Sequence, residues 1–167
     1  MVMSLAAASE HLAAESCFVS YADIVYHPDA VSSLMGSADH IAIAYDMDWV
    51  QLWKARFEDP LSDAESFRHE NGRLVEIGNK AGALEQIQGQ YMGLLKFTPN
   101  GWAYVVRLLS DLSPRHCDRL DMTSLLGLLL DQQVRIGVVP VEGRWCEVDS
   151  QEDLDLYMSC LAGADAT

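Results

Sequence analysis

The segment Cys17-Phe18-Val19-Ser20-Tyr21-Ala22-Asp23-Ile24-Val25-Tyr26 constrains the fold more than any other stretch of this chain. Residues 17–19 are apolar and β-prone, the pattern of a strand covered on both faces, and Asp23 falls just past their carboxyl end. Open α/β sheets bind ligands at that edge. A carboxylate held there suits Mg²⁺, which takes hard oxygens and commonly uses one or two protein carboxylates, with water and phosphate completing its shell. Asp23 can equally serve as a turn residue ahead of Tyr26 and Pro28.

Around this segment the pattern alternates between strand and helix. Residues 5–14 read as an Ala-rich helix leading into the first strand. Pro28 suits the first turn of a helix over 28–35, and Gly36 is placed to end it. Residues 40–45 form a second buried strand, so this strand-helix-strand unit predicts parallel pairing. Residues 46–56 carry Trp49, Leu52 and Trp53 at helical spacing. Glu70-Asn71-Gly72 supplies a hairpin turn between Phe67 and residues 74–77. Residues 90–97 form a further strand, and Thr98-Pro99 caps a helix through Leu109. Asp121 or Thr123 caps the Leu-rich helix that runs to Asp131. Residues 134–141, a Glu142-Gly143 turn and residues 144–148 predict a terminal hairpin. Ser150 then caps a last helix with Asp153 in its first turn.

Composition narrows the class of protein. The chain has 167 residues, half of them hydrophobic, which suits one domain over 1–167 with a substantial core. Eleven Lys and Arg against 25 Asp and Glu give a formal charge of −14, which opposes binding to nucleic acid or to an anionic membrane surface. Cys17, Cys117, Cys146 and Cys160 are scattered, with no CxxC pair, and read as reduced thiols. Residues 1–14 lack the basic start of a signal peptide, since the first Lys or Arg is Lys54. The longest aliphatic run, 125–130, is too short to span a bilayer. A cytoplasmic location is expected.

A second carboxylate group lies in Trp145-Cys146-Glu147-Val148-Asp149-Ser150, where strand alternation puts Glu147 and Asp149 on one side. If this strand runs beside residues 17–19, either acid can face Asp23, and a bound cation would offset their repulsion. Asp149 and Ser150 can also be simply the entry cap of the last helix.

Four stretches, in order, carry a family resemblance: Ser20-Tyr21-Ala22-Asp23-Ile24, Glu76-Ile77-Gly78-Asn79-Lys80, Ile87-Gln88-Gly89-Gln90-Tyr91-Met92-Gly93, and Glu147-Val148-Asp149-Ser150-Gln151-Glu152-Asp153-Leu154. They resemble the sugar-phosphate nucleotidylyltransferases, and most closely the branch containing bacterial choline-phosphate and 2-aminoethylphosphonate cytidylyltransferases. The resemblance implies an α/β, Rossmann-like three-layer nucleotide-diphospho-sugar transferase fold with a mainly parallel mixed sheet. It also implies Mg²⁺-dependent transfer of a nucleotidyl group, CMP from CTP, to a small phosphorylated amino-alcohol or phosphonate. By the same resemblance Asp23 and Asp149 hold the metal, with Glu147 a rival for the second place, and Lys80 contacts the acceptor phosphate. Here Asn79 stands where many relatives have Glu, and Ala81 where they have Pro. Tyr21, Trp49, Gln88, Tyr91 and Trp145 are the implied substrate-binding residues; Trp49 and Trp53 can instead form one packed helix face.

The chain departs from the family at its start. Relatives open with a strand and a Gly-rich loop bearing Arg and Lys that binds the nucleoside triphosphate. No such loop occurs here. The expectation is therefore the C-terminal part of a nucleotidyltransferase domain, with the first strands missing and an unpaired sheet edge where they would lie. Two other readings fit the same residues, a sugar-phosphate nucleotidylyltransferase and a catalytically inactive binding or regulatory module. The sequence is compatible with a homo-oligomer.

Overall fold

The computed structural model describes residues 1–164, with side chains described through Met158. In chain order the elements are α1 (Val2–Ala6), α2 (Ser9–Ala14), β1 (Cys17–Ser20), β2 (Ile24–Tyr26), α3 (Asp29–Met35), β3 (Ile41–Asp46) and α4 (Trp49–Arg56). There follow β4 (Glu65–Glu70), β5 (Arg73–Lys80), β6 (Gln90–Phe97), α5 (Pro99–Asp111), α6 (Pro114–Cys117), α7 (Met122–Asp131), β7 (Gly137–Val141), β8 (Trp145–Glu147) and α8 (Gln151–Ala164). A six-stranded sheet has the order β1-β6-β3-β7-β5-β4, and a separate two-stranded ribbon pairs β2 with β8.

The sheet is mixed and layered as expected of the α/β class. Every residue of β3 and of β6 is buried, so both faces at the centre of the sheet are covered. Helix α3 packs on β3, β6 and β7, while α5 contacts β6 and α7 lies against β5. The inward face of α5 carries Trp102, Val105 and Leu108, at i, i+3 and i+6. A side chain at Gly101 would stand 2.2 Å from the His40 carbonyl oxygen, so only glycine lets α5 approach the start of β3 this closely. The caps follow the sequence pattern: Thr98 accepts from the Gly101 N–H, and Asp121 rather than Thr123 accepts from the Ser124 N–H. Asn71 and Gly72, both at positive φ, close the β4–β5 hairpin.

Strand pairing corrects several expectations. Four strands, β1, β3, β7 and β4, run in one direction, yet only β3 and β7 are parallel neighbours. The strand-helix-strand unit does orient β1 and β3 alike, but β6 inserts between them and pairs antiparallel with both. β1 is not covered on both faces; it is an edge strand whose residues alternate between half-buried and exposed. Helix 5–14 is two short helices, α1 and α2. The predicted terminal hairpin does not form, because β7 is held in the main sheet by β3 and β5 while β8 turns away to pair with β2. Among the described residues Cys17, Cys117 and Cys146 are free thiols, whereas the Cys160 side chain lies outside the described residues. No helix among them is long and apolar enough to cross a membrane.

Two glycines offer a direct test of these close approaches. Gly93 has φ +74°, and a Cβ there would lie 2.6 Å from Cγ of Tyr21; at Gly127, within α7, nothing lies within 4 Å. Gly93→Ala is expected to destabilise the fold by roughly 2 kcal/mol or more, from left-handed strain plus overlap. Gly127→Ala is expected to stabilise it by about 0.5–1 kcal/mol. Urea unfolding of both variants checks the opposite signs.

Candidate functional site

The acids at the chain's C-terminal end converge on one guanidinium. Arg56 ends α4, where the helix dipole favours a cation, and its side chain is 2% exposed. It donates from Nη1 to Oε2 of Glu147 (3.1 Å), from Nη2 to Oδ2 of Asp149 (2.7 Å), and from Nε to Oδ1 of Asp153 (2.8 Å). The guanidinium carbon lies 5.4 Å from the ring centre of Trp53 and 5.1 Å from that of Phe57, so aromatic faces complete its surroundings. Burial alone would lower the Arg56 pKa, but hydrogen bonds to Asp153, Asp149 and Glu147 outweigh it and raise it further.

Asp153 also caps its own helix. Its N–H donates to Oγ of Ser150, while its Oδ2 accepts from the N–H groups of Asp149 and Ser150 at 3.1 Å each. The Ser150 cap is thus a reciprocal capping box clamped to α4 through Arg56. That guanidinium first, then the Ser150 hydroxyl and the Asp149 N–H, holds the Asp153 carboxyl below its ordinary range despite burial. Glu147 moves the other way: burial raises it, Asp149 raises it further, Arg56 pulls it back, and Asp23 adds to the rise.

The β2–β8 ribbon brings Asp23 to this group. Ile24 pairs with Glu147, and the Val148 N–H donates to the Asp23 carbonyl oxygen at 2.9 Å. The partner of the Trp145 strand is therefore β2, not the strand formed by Cys17, and the antiparallel ribbon does the positioning. Among the described residues no three His, Cys, Asp or Glu side chains form a metal-binding group.

Beside these acids lies a cleft of about 340 Å³. Tyr21, Gln90 and Tyr91 line it, with Glu147, Asp149, Asp63, Glu65 and Asp121 adding five carboxylates. The Tyr21 and Tyr91 rings meet edge to face, 5.9 Å between centroids. Gly93 makes this contact possible: Tyr21 takes the space a Cβ would fill and donates its N–H to the Gly93 carbonyl. Burial pushes Tyr21 up to about 12, moderated by the Tyr91 hydroxyl, and burial followed by the charge of Tyr21 drives Tyr91 well above the usual phenol range. Glu65 is raised by burial, opposed by Thr123, and raised again by Asp121 and Asp63. Asp121 sits low in spite of its burial, because Ser124 and Thr123 donate to it.

Of the residues singled out in the sequence, Tyr21, Tyr91, Glu147 and Asp149 share this cleft. Asp23 lines an adjoining hollow with Phe18 and Leu5, to which Tyr21 and Met122 also belong. Lys80 is exposed at the end of β5, opposite Glu65 in the β4–β5 ladder. Three assignments are corrected. Trp49 is 1% exposed and packs edge-on against Trp53, so it is core. Trp145 is buried against Trp53 and borders a different, apolar groove with Val25 and Tyr157. Gln88 is exposed, does not line the cleft, and accepts the His69 N–H of β4 at 2.6 Å. Asp46, at the end of β3, is buried and accepts the N–H groups of Asp48 and Gly143. Sequence reasoning missed Arg56, Asp63, Glu65, Gln90 and Asp121. For Arg56 a signal existed, because Lys54 and Arg56 are the only Lys or Arg in the first 67 residues.

This fold is that of the nucleotidyltransferases. The inositol-1-phosphate CTP transferase from T. maritima superposes with a TM-score of 0.70 at 20% identity, over 97% of this chain and 60% of that one. A Bacillus anthracis structure in complex with sucrose, named as a glucose-1-phosphate thymidylyltransferase, gives the same TM-score and coverage at 14% identity. In sequence, the chain is 35% identical over 150 residues to the CTP:phosphoglutamine cytidylyltransferase of Campylobacter jejuni, covering 86% of this chain and 59% of that protein. The resemblance to sugar-phosphate nucleotidylyltransferases, on their cytidylyltransferase side, is thus matched by independent comparisons. No family profile matches the chain. The chain spans about three-fifths of the length of these relatives.

The Arg56 cluster yields a stability test with a defined pH sign. A carboxyl whose folded pKa is lowered adds stability above its unfolded value, near 4, and that stability is lost as pH falls through the folded value. Asp153→Asn is expected to cost about 3–5 kcal/mol at neutral pH and to flatten the acid limb of the stability curve. Chemical unfolding from pH 7 down to pH 3 measures both.

Proposed function

We propose that this chain forms part of a nucleotidyltransferase domain that transfers CMP from CTP to a small phosphorylated amino-alcohol or phosphonate. The 35% identity to a CTP-dependent cytidylyltransferase across most of the chain is the observation that carries this reading. In the reaction an acceptor phosphate or phosphonate oxygen attacks the α-phosphorus of CTP. The new P–O bond forms as the bond to the β-phosphate oxygen breaks, and pyrophosphate departs with that electron pair. No covalent enzyme intermediate is required.

The residues present fit a divalent cation. Glu147 is crowded by Asp149 and Asp23, a repulsion that a cation would relieve, and Arg56 engages one oxygen each of Glu147 and Asp149. Mg²⁺ needs only one or two protein carboxylates, so Asp23, with Asp149 or Glu147, would hold it. When bound it would neutralise charge on the triphosphate. The chain's own contribution is positioning: Arg56 fixes the two C-terminal acids, the β2–β8 ribbon sets Asp23 beside them, and Lys80 steadies the acceptor phosphate as a point charge. Tyr21 and Tyr91 shape the acceptor side of the cleft.

The test is release of pyrophosphate from CTP with Mg²⁺ and ethanolamine phosphate or 2-aminoethylphosphonate. It is run on this chain alone and on this chain joined to a Gly-rich nucleotide-binding segment. Turnover in the joined form is expected, and Asp23→Asn should lower it at least about 100-fold. Since Asp23 is exposed, that variant should keep its stability to within about 0.5 kcal/mol. Turnover of glucose 1-phosphate alone would favour the sugar-phosphate reading, and binding of acceptor without turnover in either form would favour the binding module.

A further inference from the structure

The six-stranded sheet ends on two edges of opposite chemistry. β4 carries Glu65, Arg68 and Glu70, with Arg68 lying 3.5 Å from a carboxylate oxygen of each of Glu70 and Glu76, and charged side chains on an edge discourage a further strand from pairing. β1, at the other end, has no charged residue, no proline and no bulge in its register with β6. Its outer backbone is open. The Tyr21 N–H donates to the Gly93 carbonyl, so the alternate residues Val19 and Cys17 also face β6, and the N–H and C=O groups of Phe18 and Ser20 point away from the sheet. Among the described residues no strand pairs with that side. Beside it lies a hollow of about 530 Å³ whose walls include Leu5, Ala8, Phe18, Val19 and Met122, and Phe18 stays 38% exposed.

Phe18 and Ser20 sit one residue either side of Val19, so the open backbone groups are symmetric about it. Two copies meeting edge to edge and antiparallel satisfy each other twice: Phe18 of each pairs with Ser20 of the other, and the two Val19 residues face one another across a twofold axis. We infer that β1 is a docking edge for a second copy of this chain, joined in this register. Charge selects the second copy as occupant. At a net −14 two copies repel over most of their surface, and β1 is a stretch where they touch without setting acid against acid. Pairing β1 of one copy with β4 of the next would build an open filament instead, and the charged side chains of β4 oppose it. The symmetric pairing closes at two. Glu15 and Asp23 flank β1 at opposite ends and approach their counterparts in the second copy, which limits the affinity. Four residues and the apolar rim beside them make a small interface, in the class of weak, concentration-dependent association.

Sedimentation equilibrium and cysteine cross-linking on the full chain test this. The chain should show a monomer–dimer equilibrium with a micromolar dissociation constant, tightening at least about 3-fold as NaCl rises from about 50 to about 500 mM, because screening weakens the repulsion between acidic copies. Val19→Cys, oxidised with diamide, should give a disulfide-linked dimer, since a non-hydrogen-bonded antiparallel pair brings the two Cα atoms to about 4.5 Å. The native Cys17 thiol would face Tyr21 of the second copy and should give no such link, so the wild-type chain is the control. Ser20→Pro removes an outward N–H and leaves the β6 ladder intact, and Phe18→Glu places an acid on the edge. Each should weaken association at least about 10-fold with an unchanged circular dichroism spectrum. A chain that stays monomeric at millimolar concentration, no cross-link above the control from Val19→Cys, undiminished association in both edge variants, or growth beyond the dimer overturns the inference. So does a monomer that instead binds a Gly-rich nucleotide-binding segment supplied as a separate polypeptide, which would make that segment the occupant of the edge.

Discussion

One guanidinium, shared by three carboxylates from a segment nearly a hundred residues away, holds the C-terminal part of this molecule to its centre. In a chain with a formal charge of −14, acids gathered in one place repel unless something intervenes. Arg56 does so with each of its donor groups, placed at the dipole-negative end of α4 and backed by Trp53 and Phe57. Because Asp153 is both an Arg56 ligand and half of the Ser150 capping box, the start of α8 and the end of α4 are set by one network. Glu147 and Asp149 inherit their positions from it.

The small ribbon extends the same logic to Asp23. β2 and β8 are three residues each, too short to be stable alone, and an isolated two-stranded ribbon is marginal in water. Their anchors lie outside the ribbon: Arg56 on the β8 side, and on the β2 side the packing of Tyr21 against Gly93. β6 therefore contributes to the site twice, once through Gly93 and once through Gln90 and Tyr91 at its start. Its burial at every position makes it a rigid support for the cleft.

The elements that could be read from the sequence are those governed by local rules. The Asn71-Gly72 turn, the Thr98-Pro99 cap, the Asp121 cap and the Ser150-Asp153 pair depend on φ preferences and on side chains reaching backbone groups a few residues away. The apolar run 41–44 likewise marked β3 as a covered strand. Motif order carried the family resemblance, and with it Asp23, Glu147, Asp149, Tyr21 and Tyr91 as a set.

What the tertiary structure decided is which strand lies beside which, and so which side chains share a cavity. β6 slips between β1 and β3 although it follows both in the chain, and β8 leaves β7 for β2; neither choice leaves a trace in local periodicity, because strand neighbours are selected by long-range packing. The same holds for individual residues. Trp49 and Trp53 show one helical pattern, yet Trp49 is core while Trp53 borders the cleft, and Gln88 and Gln90 sit two positions apart yet do unrelated work. Residue type and spacing determined that this chain would carry carboxylates at strand ends and tyrosines near a glycine. Only the folded arrangement, in which distant segments compete for the same buried volume, determined that Arg56 would bind the acids together and that Tyr21 would meet Tyr91 across Gly93.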